Sequence, residues 1–389
     1  MDGGPVVLLI RSLDFGGAER QVVQLAIGLH GRGIPVLVMT FYDGGALGAE
    51  LARAGVPRSS LGKCGRWDVV GFLYRLVQAL RRARPSAVYS FLATANTLAA
   101  LLRPILPGTL VVWALRASTV DLAQYDAAAW LSYRAEQALA WLPDLIIANS
   151  EAGKRHALAH GFPHQSLVVV PNGIDTERFC HDEAGRRRVR AEWGISEQEK
   201  LVGLVARLDP MKDHAGFLRA AAAVAAELPE ARFVCVGDGP DSLRLALQAL
   251  AAELGLGERI FWSHARQDMP AVMSALDVAC SASSFGEGFS NALAEAMSCG
   301  ILCVATDVGD ATLIIGDAGR VVPAANPAAL AAAITEMLRM SAEEGDAIRR
   351  RARGRMVENF GMDALVCRTV DLWNTLTATG GHAGTGSRR

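Results

Sequence analysis

The chain alternates between short, wholly apolar stretches and longer stretches whose apolar residues recur every three or four positions. The first pattern favours buried parallel strands, and the second favours amphipathic helices. The predicted strands are residues 5–13, 36–41, 87–91, 110–115, 145–148, 200–206, 232–236, 260–262, 278–280 and 301–306. Strands and helices in alternation predict an α/β protein built on parallel sheets.

Residues 168–175, Val-Val-Val-Pro-Asn-Gly-Ile-Asp, form the clearest boundary in this pattern. An apolar strand gives way there to proline and Asn-Gly, which favour turns. A second strand–helix series begins at residue 200, so two parallel sheets with a cleft between them are expected. The predicted domains are 1–171 and 172–361, and the Gly-rich, polar residues 379–389 predict a disordered tail.

A length of 389 residues is enough for large cores and two or three domains. The net charge of −1 provides no general attraction to nucleic acid, and no apolar run approaches the roughly 20 residues of a membrane span. The apolar residues 6–10 are too few for a signal peptide. The seven cysteines include no C-x-x-C pair, which favours reduced thiols and a cytoplasmic location.

Residues 51–116 depart from the even charge balance, because they contain ten basic residues and a single acid, Asp68. The basic residues are Arg53, Arg58, Lys63, Arg66, Arg75, Arg81, Arg82, Arg84, Arg103 and Arg116. Residues 69–80 predict an amphipathic helix whose apolar face consists of Val69, Phe72, Leu73, Leu76 and Leu80. Two interpretations stay open: an ordinary helix packed on its sheet, or a surface that also attracts anionic lipid at the cytoplasmic face of the cell membrane.

Two loops are candidates for bringing backbone N–H groups to a phosphate. Gly16 and Gly17 lie between the first strand and the first helix, where glycine permits a close approach of the backbone, although many α/β proteins place glycine there for packing. The stretch 285–300 contains a glycine-rich loop followed by a short predicted helix. The N–H groups of Ser290 and Asn291 would lie at the start of that helix, where an anion can accept hydrogen bonds.

Glu287 and Glu295 are two carboxylates in this otherwise small and apolar stretch. A carboxylate is costly to bury without a partner, so their positions require an explanation. In one interpretation Glu287 stabilises the helix N-terminus electrostatically and Glu295 is solvated. In the other, both accept hydrogen bonds from the hydroxyl groups of a sugar nucleotide whose phosphates lie at the helix N-terminus.

Arg207 and Lys212 flank Pro210 in the loop that follows the predicted strand 200–206. A diphosphate is bound well by such a pair, because arginine can donate two hydrogen bonds and lysine adds a point charge. The alternative is a surface loop with two solvated cations.

Several motifs together resemble the retaining glycosyltransferases of family 4, especially those that build bacterial surface polysaccharides. The motifs are Gly-Gly-Ala-Glu-Arg at 16–20, Arg-x4-Lys at 207–212, Gly-Asp-Gly-Pro at 237–240 and Glu-x7-Glu at 287–295 followed by Ala-Met-Ser-Cys-Gly. The resemblance implies the GT-B fold, with two Rossmann-like domains and the active site in the cleft. It also implies that a last helix, at about 362–378, crosses back to the first domain, which would bind the acceptor.

The resemblance also implies residue roles. Glu287 would hold hydroxyls of the transferred sugar, Glu295 the ribose, and Arg207 with Lys212 the diphosphate; Glu287, Arg207 and Lys212 are the predicted catalytic residues. The predicted donor-binding residues are Gly16, Gly17, Arg207, Lys212, His264, Arg266, Glu287, Gly288, Phe289, Ser290, Asn291 and Glu295. The chain departs from the family at His264, where glycine is usual. The usual active-site histidine is also missing, since none occurs between His30 and His156, and Arg116 and Ser118 are acceptor-side candidates by position.

The implied reaction transfers a hexose from a nucleotide diphosphate sugar to a hydroxyl of a glycan or lipid-linked acceptor, with retention at the anomeric carbon. No Asp-x-Asp motif is present, so neither a metal nor another cofactor is expected. Two alternatives stay open: a non-catalytic subunit that binds a sugar nucleotide and recruits a partner enzyme, or a sugar-nucleotide epimerase on the same fold.

Overall fold

The computed structural model describes residues 4–14, 16–65, 67–116 and 127–380. Ser118 and residues 381–389 of the predicted tail therefore lie outside the described residues. The chain divides into two compact units: unit 1 comprises Met1–Gly173 and Met362–Arg389, and unit 2 comprises Ile174–Gly361. The boundary follows Gly173, two residues beyond the predicted one.

Unit 1 begins with strands and helices in strict alternation. Its elements are β1 (Gly4–Ile10), α1 (Gly17–Gly31), β2 (Val36–Thr40), α2 (Gly48–Arg53), β3 (Arg58–Ser60), α3 (Val70–Ala83), β4 (Pro85–Phe91), α4 (Ala93–Leu101), β5 (Leu110–Leu115), α5 (Ala127–Leu139), β6 (Leu145–Ala148), α6 (Glu151–Ala159) and β7 (Leu167–Val169). The strands form one parallel sheet in the order β3-β2-β1-β4-β5-β6-β7. The order reverses between β1 and β4, and ligands of such sheets bind at the carboxyl ends of the strands beside this point.

Unit 2 repeats the alternation. Its elements are α7 (Glu183–Glu192), β8 (Lys200–Val205), α8 (His214–Glu227), β9 (Ala231–Val236), α9 (Asp241–Glu253), β10 (Ile260–Ser263), α10 (Met269–Ala275), β11 (Val278–Ser281), α11 (Asn291–Ser298), β12 (Leu302–Thr306), α12 (Ala311–Ile315), β13 (Arg320–Val322), α13 (Pro327–Arg339) and α14 (Ala342–Phe360). Its parallel sheet has the order β10-β9-β8-β11-β12-β13, which reverses between β8 and β11.

After unit 2 the chain returns to unit 1 as α15 (Met362–Gly380). Residues 379 and 380 are therefore helical, although the sequence predicts a disordered tail from 379. Trp373 is fully buried, with its ring centroid 6.1 Å from that of Tyr89 on β4. Asp363 accepts a hydrogen bond from Arg32 just beyond α1, at 2.7 Å. The helix thus contributes to the core of unit 1.

The backbone of Gly173, the last residue of the first segment of unit 1, is held by the side-chain amide of Gln21 on α1. Gln21 Nε2 donates to Gly173 O at 2.8 Å, and Gly173 N donates to Gln21 Oε1 at 2.9 Å. Within unit 2, Ile174 N donates to Phe360 O at 2.8 Å. Hydrogen bonds therefore fix the chain on both sides of the boundary, two at Gly173 and one at Ile174.

The predicted apolar face of α3 is buried within the helix, but the prediction is wrong for the residue that precedes its first turn. Phe72, Leu76 and Leu80 are buried, but Val69 is 50% exposed because it precedes the helix. Trp67 and Val70 are 88% and 82% exposed, which the sequence pattern does not predict. The N-terminal end of α3 therefore presents apolar side chains to its surroundings.

Candidate active site

The loop after β8 carries the two predicted diphosphate-binding cations of unit 2. Arg207 Nη2 donates to Asp209 Oδ2 at 2.6 Å, and the other oxygen of Asp209 accepts from Met211 N at 3.1 Å. Met211 O in turn accepts from Ser284 N, in the loop after β11, at 2.8 Å. The two loops at the reversal of strand order are thus joined through their backbones, and the Arg207 side chain remains 67% exposed.

Lys212 and Glu287 meet at this point. Lys212 Nζ donates to Glu287 Oε2, and Ser283 Oγ donates to the same oxygen at 2.9 Å. Glu287 is only 9% exposed, so its carboxylate is removed from bulk water and compensated by a cation and a hydroxyl group. The structure thereby brings together two of the three predicted catalytic residues, and it adds Ser283, which the sequence analysis did not single out.

The loop that carries Glu287 is held closely by the chain after β12. Asp310 N donates to Gly288 O at 3.0 Å, and Thr306 Oγ1 donates to Ser283 O at 2.6 Å. Gly309 has φ +66°, and a Cβ atom there would lie 2.4 Å from Glu287 O. Only glycine fits at residue 309, because any side chain would displace the backbone of Glu287.

The helix predicted after this loop is α11, which begins at Asn291. Glu295 on this helix is 4% exposed, so the interpretation that it is solvated is wrong. Ser290 is the N-cap, and the first N–H groups of α11 lie outside the hydrogen-bond ladder of the helix. Phe289, a predicted donor-binding residue, packs in the core with its ring centroid 5.4 Å from that of Phe360. Any donor contact of Phe289 is therefore limited to its backbone.

His264 lies after β10 and forms a pair with Asp238, which follows β9. His264 Nδ1 lies 2.6 Å from Asp238 Oδ1, and Ala265 N donates to Asp238 Oδ2 at 3.1 Å. The hydrogen bond from His264 is the main reason that the pKa of Asp238 lies below its ordinary value. The imidazole is exposed, so it remains accessible at the carboxyl end of the sheet, beside the Gly237–Pro240 turn.

Arg266, also predicted to bind the donor, is already held by two carboxylates. Its Nη2 lies 3.0 Å from Glu192 and 2.9 Å from Asp268, and its guanidinium lies 5.8 Å from the Trp193 ring centroid. These contacts raise the pKa of Arg266 and lower that of Asp268. Arg266 therefore has the environment of a structural ion pair, and its predicted role in donor binding stays a prediction without geometric support.

His214, at the start of α8, is buried beneath the loop that carries the cations. Burial is the main cause that lowers the pKa of His214 to about 4, so its ring is neutral at pH 7. The positive charge of this loop consequently comes from Arg207 and Lys212.

The remaining predicted residues belong to unit 1. Gly16 is the N-cap of α1 and Gly17 is its first residue, and a Cβ atom on Gly16 would lie 2.1 Å from the Glu19 carboxylate. Arg116 follows β5; its Nη1 donates to Asn172 Oδ1 at 2.7 Å, and its guanidinium lies 4.9 Å from the Phe91 ring centroid. Ser118 lies outside the described residues.

No group of three or more His, Cys, Asp or Glu side chains within the described ranges is arranged to hold a metal ion. Two cations and a helix N-terminus can neutralise a diphosphate, while buried carboxylates can accept hydrogen bonds from hydroxyl groups.

Comparison with family models agrees with this geometry. A model described as Glycosyltransferase Family 4 matches residues 15–178, and one described as Glycosyl transferases group 1 matches residues 199–340. The chain belongs to glycosyltransferase family 4. The second match contains the loops that carry Arg207, Lys212 and Glu287.

Known members of the family resemble this chain over part of their length. The D-inositol 3-phosphate glycosyltransferase of Mycobacterium ulcerans is 32% identical over 230 residues, which are 57% of this chain and 48% of the relative. The GDP-mannose-dependent alpha-(1-6)-phosphatidylinositol monomannoside mannosyltransferase of Mycolicibacterium smegmatis is 31% identical over 194 residues, which are 47% of this chain and 50% of that relative. The chain thus spans about half the length of the curated relatives it matches.

A solved structure of the same fold is Anabaena HepE in complex with UDP and glucose, with a TM-score of 0.84 and 22% identity. The match covers 96% of this chain and all of HepE. The likeness confirms the predicted GT-B fold of this glycosyltransferase, with two Rossmann-like domains.

Proposed function

We propose that this glycosyltransferase transfers a hexose from a nucleotide diphosphate sugar to a hydroxyl group, with retention at the anomeric carbon. The contact between Lys212 and the buried Glu287 is the observation that carries the proposal. It places a cation suited to a phosphate directly beside a carboxylate suited to a sugar hydroxyl. The acceptor is a lipid-linked or other precursor of a surface polysaccharide, in line with the family resemblance.

The charge that develops on the leaving diphosphate is stabilised by Arg207, Lys212 and the N-terminus of α11, without a metal or another cofactor. Glu287 holds hydroxyls of the transferred hexose, and Glu295 holds the ribose. Retention follows if the acceptor attacks from the face that the diphosphate leaves, so that a phosphate oxygen takes the proton of the acceptor hydroxyl.

The proposal is tested first by screening UDP-, GDP- and dTDP-linked hexoses for thermal stabilisation. We expect the cognate donor at 100 times its Kd to stabilise the protein by about 2.7 kcal/mol. With that donor and a membrane lipid extract as the acceptor source, transfer should persist in EDTA, and NMR of the product should show the anomeric configuration of the donor.

Each alternative gives a different result in this experiment. Stabilisation without transfer would favour a non-catalytic binding subunit, and conversion of the donor sugar without an acceptor would favour an epimerase. Transfer that stops in EDTA and returns with Mg²⁺ would contradict the metal-independent mechanism, and an inverted product would contradict retention.

We further propose that the protein works in the cytoplasm, where unit 1 attaches to the anionic inner face of the cell membrane. No helix among the described residues has the length and hydropathy needed to cross a bilayer. Of the basic residues in segment 51–116, Arg75 and Arg103 form ion pairs with Asp68 and Asp144. Arg81, Arg82 and Arg84 are exposed at the end of α3, whose first turn presents Val70. The helix thus has exposed cations at its C-terminal end and exposed apolar side chains at its N-terminal end, and both kinds of side chain can bind a lipid surface.

The protein should therefore sediment with phosphatidylglycerol vesicles at low salt and be released at high salt, because exposed charges are screened. Replacing Arg81, Arg82 and Arg84 with Gln should weaken binding by about 1 kcal/mol per residue. Replacing three exposed arginines of unit 2 (Arg187, Arg219 and Arg339) removes the same charge and should have little effect. Equal losses in both triple variants would contradict the assignment of this surface.

A further inference from the structure

Glu136 on α5 is a buried carboxyl group that the proposed reaction does not use. It is 5% exposed, and its Oε1 accepts a hydrogen bond from Asn96 Nδ2 on α4 at 2.6 Å. Within the described ranges, Glu136 forms no ion pair and accepts no second hydrogen bond. A charged carboxylate with one neutral donor is costly to bury, whereas a protonated carboxyl group carries no charge and costs much less. The surroundings of Glu136 therefore favour its protonated form.

Asn96 connects Glu136 to the carboxyl end of β5. Its Nδ2 also donates to Ala114 O at 3.1 Å, and its Oδ1 accepts from Ser90 Oγ on β4 at 2.7 Å. The Asn96 side chain is fully buried, and both N–H groups and the oxygen of its amide are used inside the protein. Ala114 lies two residues before Arg116, the acceptor-side candidate. The contact between α4 and α5 therefore helps to fix the strand end that carries Arg116.

Among the described residues, the titratable groups around Glu136 come from α5 and α6. On α5, the pKa of Tyr133 is raised mainly by burial and further by the charge of Glu136, while Arg134 is exposed. On α6, His156 Nε2 lies 3.2 Å from the Tyr133 hydroxyl, and burial lowers the pKa of His156. α4 faces Glu136 with the amide of Asn96, and β5 has no titratable side chain. Burial raises the pKa of Glu136 itself to about 7, so this carboxyl group titrates near neutral pH.

We propose that Glu136 is a positioning residue: its protonated carboxyl group keeps the end of β5, and with it Arg116, in the arrangement that binds the acceptor. When the proton is lost, only the Asn96 amide compensates the charge, so water or a shift of α5 must replace the close contact with α4. The hydrogen bond from Asn96 to Ala114 O then changes as well. Acceptor binding should therefore weaken as the pH rises above neutrality. The link to the acceptor rests on the proposed transferase function, whereas the proton held by Glu136 does not.

The first measurement is the melting temperature of the full chain between pH 5 and pH 8, for wild type and Glu136→Gln. The pKa in the folded protein lies above its ordinary value, so the protonated carboxyl group stabilises at low pH, and this stabilisation is lost as the pH rises to about 7. Glutamine keeps the shape and stays neutral, so the melting temperature of Glu136→Gln relative to wild type should rise by roughly 5 °C from pH 5 to pH 8. Glu151→Gln, which changes an exposed carboxylate of α6, should show no such rise. Equal pH profiles for Glu136→Gln and wild type would overturn the proposal.

The second measurement separates a positioning role from a purely structural one. With the donor saturating, the half-saturating amount of a membrane lipid extract is measured at pH 6 and pH 8. Wild type should need about tenfold more extract at pH 8, because only about a tenth of Glu136 then carries its proton. Glu136→Gln should need the same amount at both pH values, and its nucleotide diphosphate affinity should equal that of wild type.

The same change in half-saturation for wild type and Glu136→Gln would show that Glu136 has only a structural role, which overturns the proposal. Absence of transfer at every pH would contradict the proposed function and remove the acceptor role with it. The melting profiles require no transfer, so they would still decide whether the folded protein holds a proton on Glu136.

Discussion

Lys212→Met is expected to reduce donor turnover more than any other single substitution outside the carboxylates. The variant removes a cation from the proposed diphosphate site, and it also leaves Glu287 buried without its positive partner. Breaking a buried ion pair by removing one partner costs about 3–5 kcal/mol. Removing a group that stabilises the charge of the transition state lowers kcat by roughly 10²–10³. We therefore expect turnover to fall by at least about a hundredfold.

Three companion variants show whether the Lys212–Glu287 ion pair is responsible for the loss of turnover. Arg207→Ala should reduce turnover less than Lys212→Met does, because the Arg207 side chain is exposed and already paired with Asp209. Arg219→Met removes an exposed cation from α8 in the same unit and should have almost none. The double variant Lys212→Met/Glu287→Gln should regain part of the lost stability, since it no longer buries an uncompensated charge. Wild-type turnover and nucleotide diphosphate affinity in Lys212→Met would contradict the assigned site.

The second large effect is a difference in kinetics and nucleotide affinity between variants of Glu287 and variants of Glu295. Glu287→Gln keeps the shape of the side chain but weakens an acceptor near the reacting sugar, so kcat should fall while nucleotide diphosphate affinity stays nearly constant. Glu295→Gln should weaken binding of both the donor and the free nucleotide diphosphate, because the two share the ribose. A hydrogen bond to a charged group contributes about 1.5–3 kcal/mol, which corresponds to roughly ten- to a hundredfold.

The two variants are compared by steady-state kinetics and by calorimetric titration of the nucleotide diphosphate. Circular dichroism and melting temperature should first show that both are folded, since both carboxylates are buried. A loss confined to the transition state appears equally in kcat and in kcat/KM. The same kinetic profile for Glu287→Gln and Glu295→Gln would show that the two carboxylates do not have separate roles.

Much of the fold could be predicted because its central strands are apolar on both faces. β5 and β6 coincide with the predicted 110–115 and 145–148, whereas β3, Arg-Ser-Ser, was not predicted. β3 is an edge strand that pairs on one side only, so its sequence needs no apolar run. The exposure of Val69 was not predicted either, because a residue just before a helix does not follow the helical periodicity.

The candidate site was predictable where its residues share one short motif. Glu287 and Glu295 were found because their spacing is fixed by one loop and one helix. Ser283, which donates to Glu287, was missed because its role depends on a side-chain contact that no spacing encodes. Arg266 shows a second contact that no spacing encodes: Glu192, distant in sequence, pairs with its guanidinium, and its role in donor binding stays a prediction.

The return of α15 to unit 1 has a consequence for biosynthesis. Unit 1 consists of two chain segments, so its second segment leaves the ribosome only after all of unit 2 has been made. Until then the site that receives Trp373, next to Tyr89, lacks its occupant, and the nascent unit 1 exposes apolar surface. Unit 2 is continuous in sequence and has no such dependence. During translation, unit 2 can therefore complete its native core before the unit that precedes it, which reverses the usual order in which domains fold from the N-terminus.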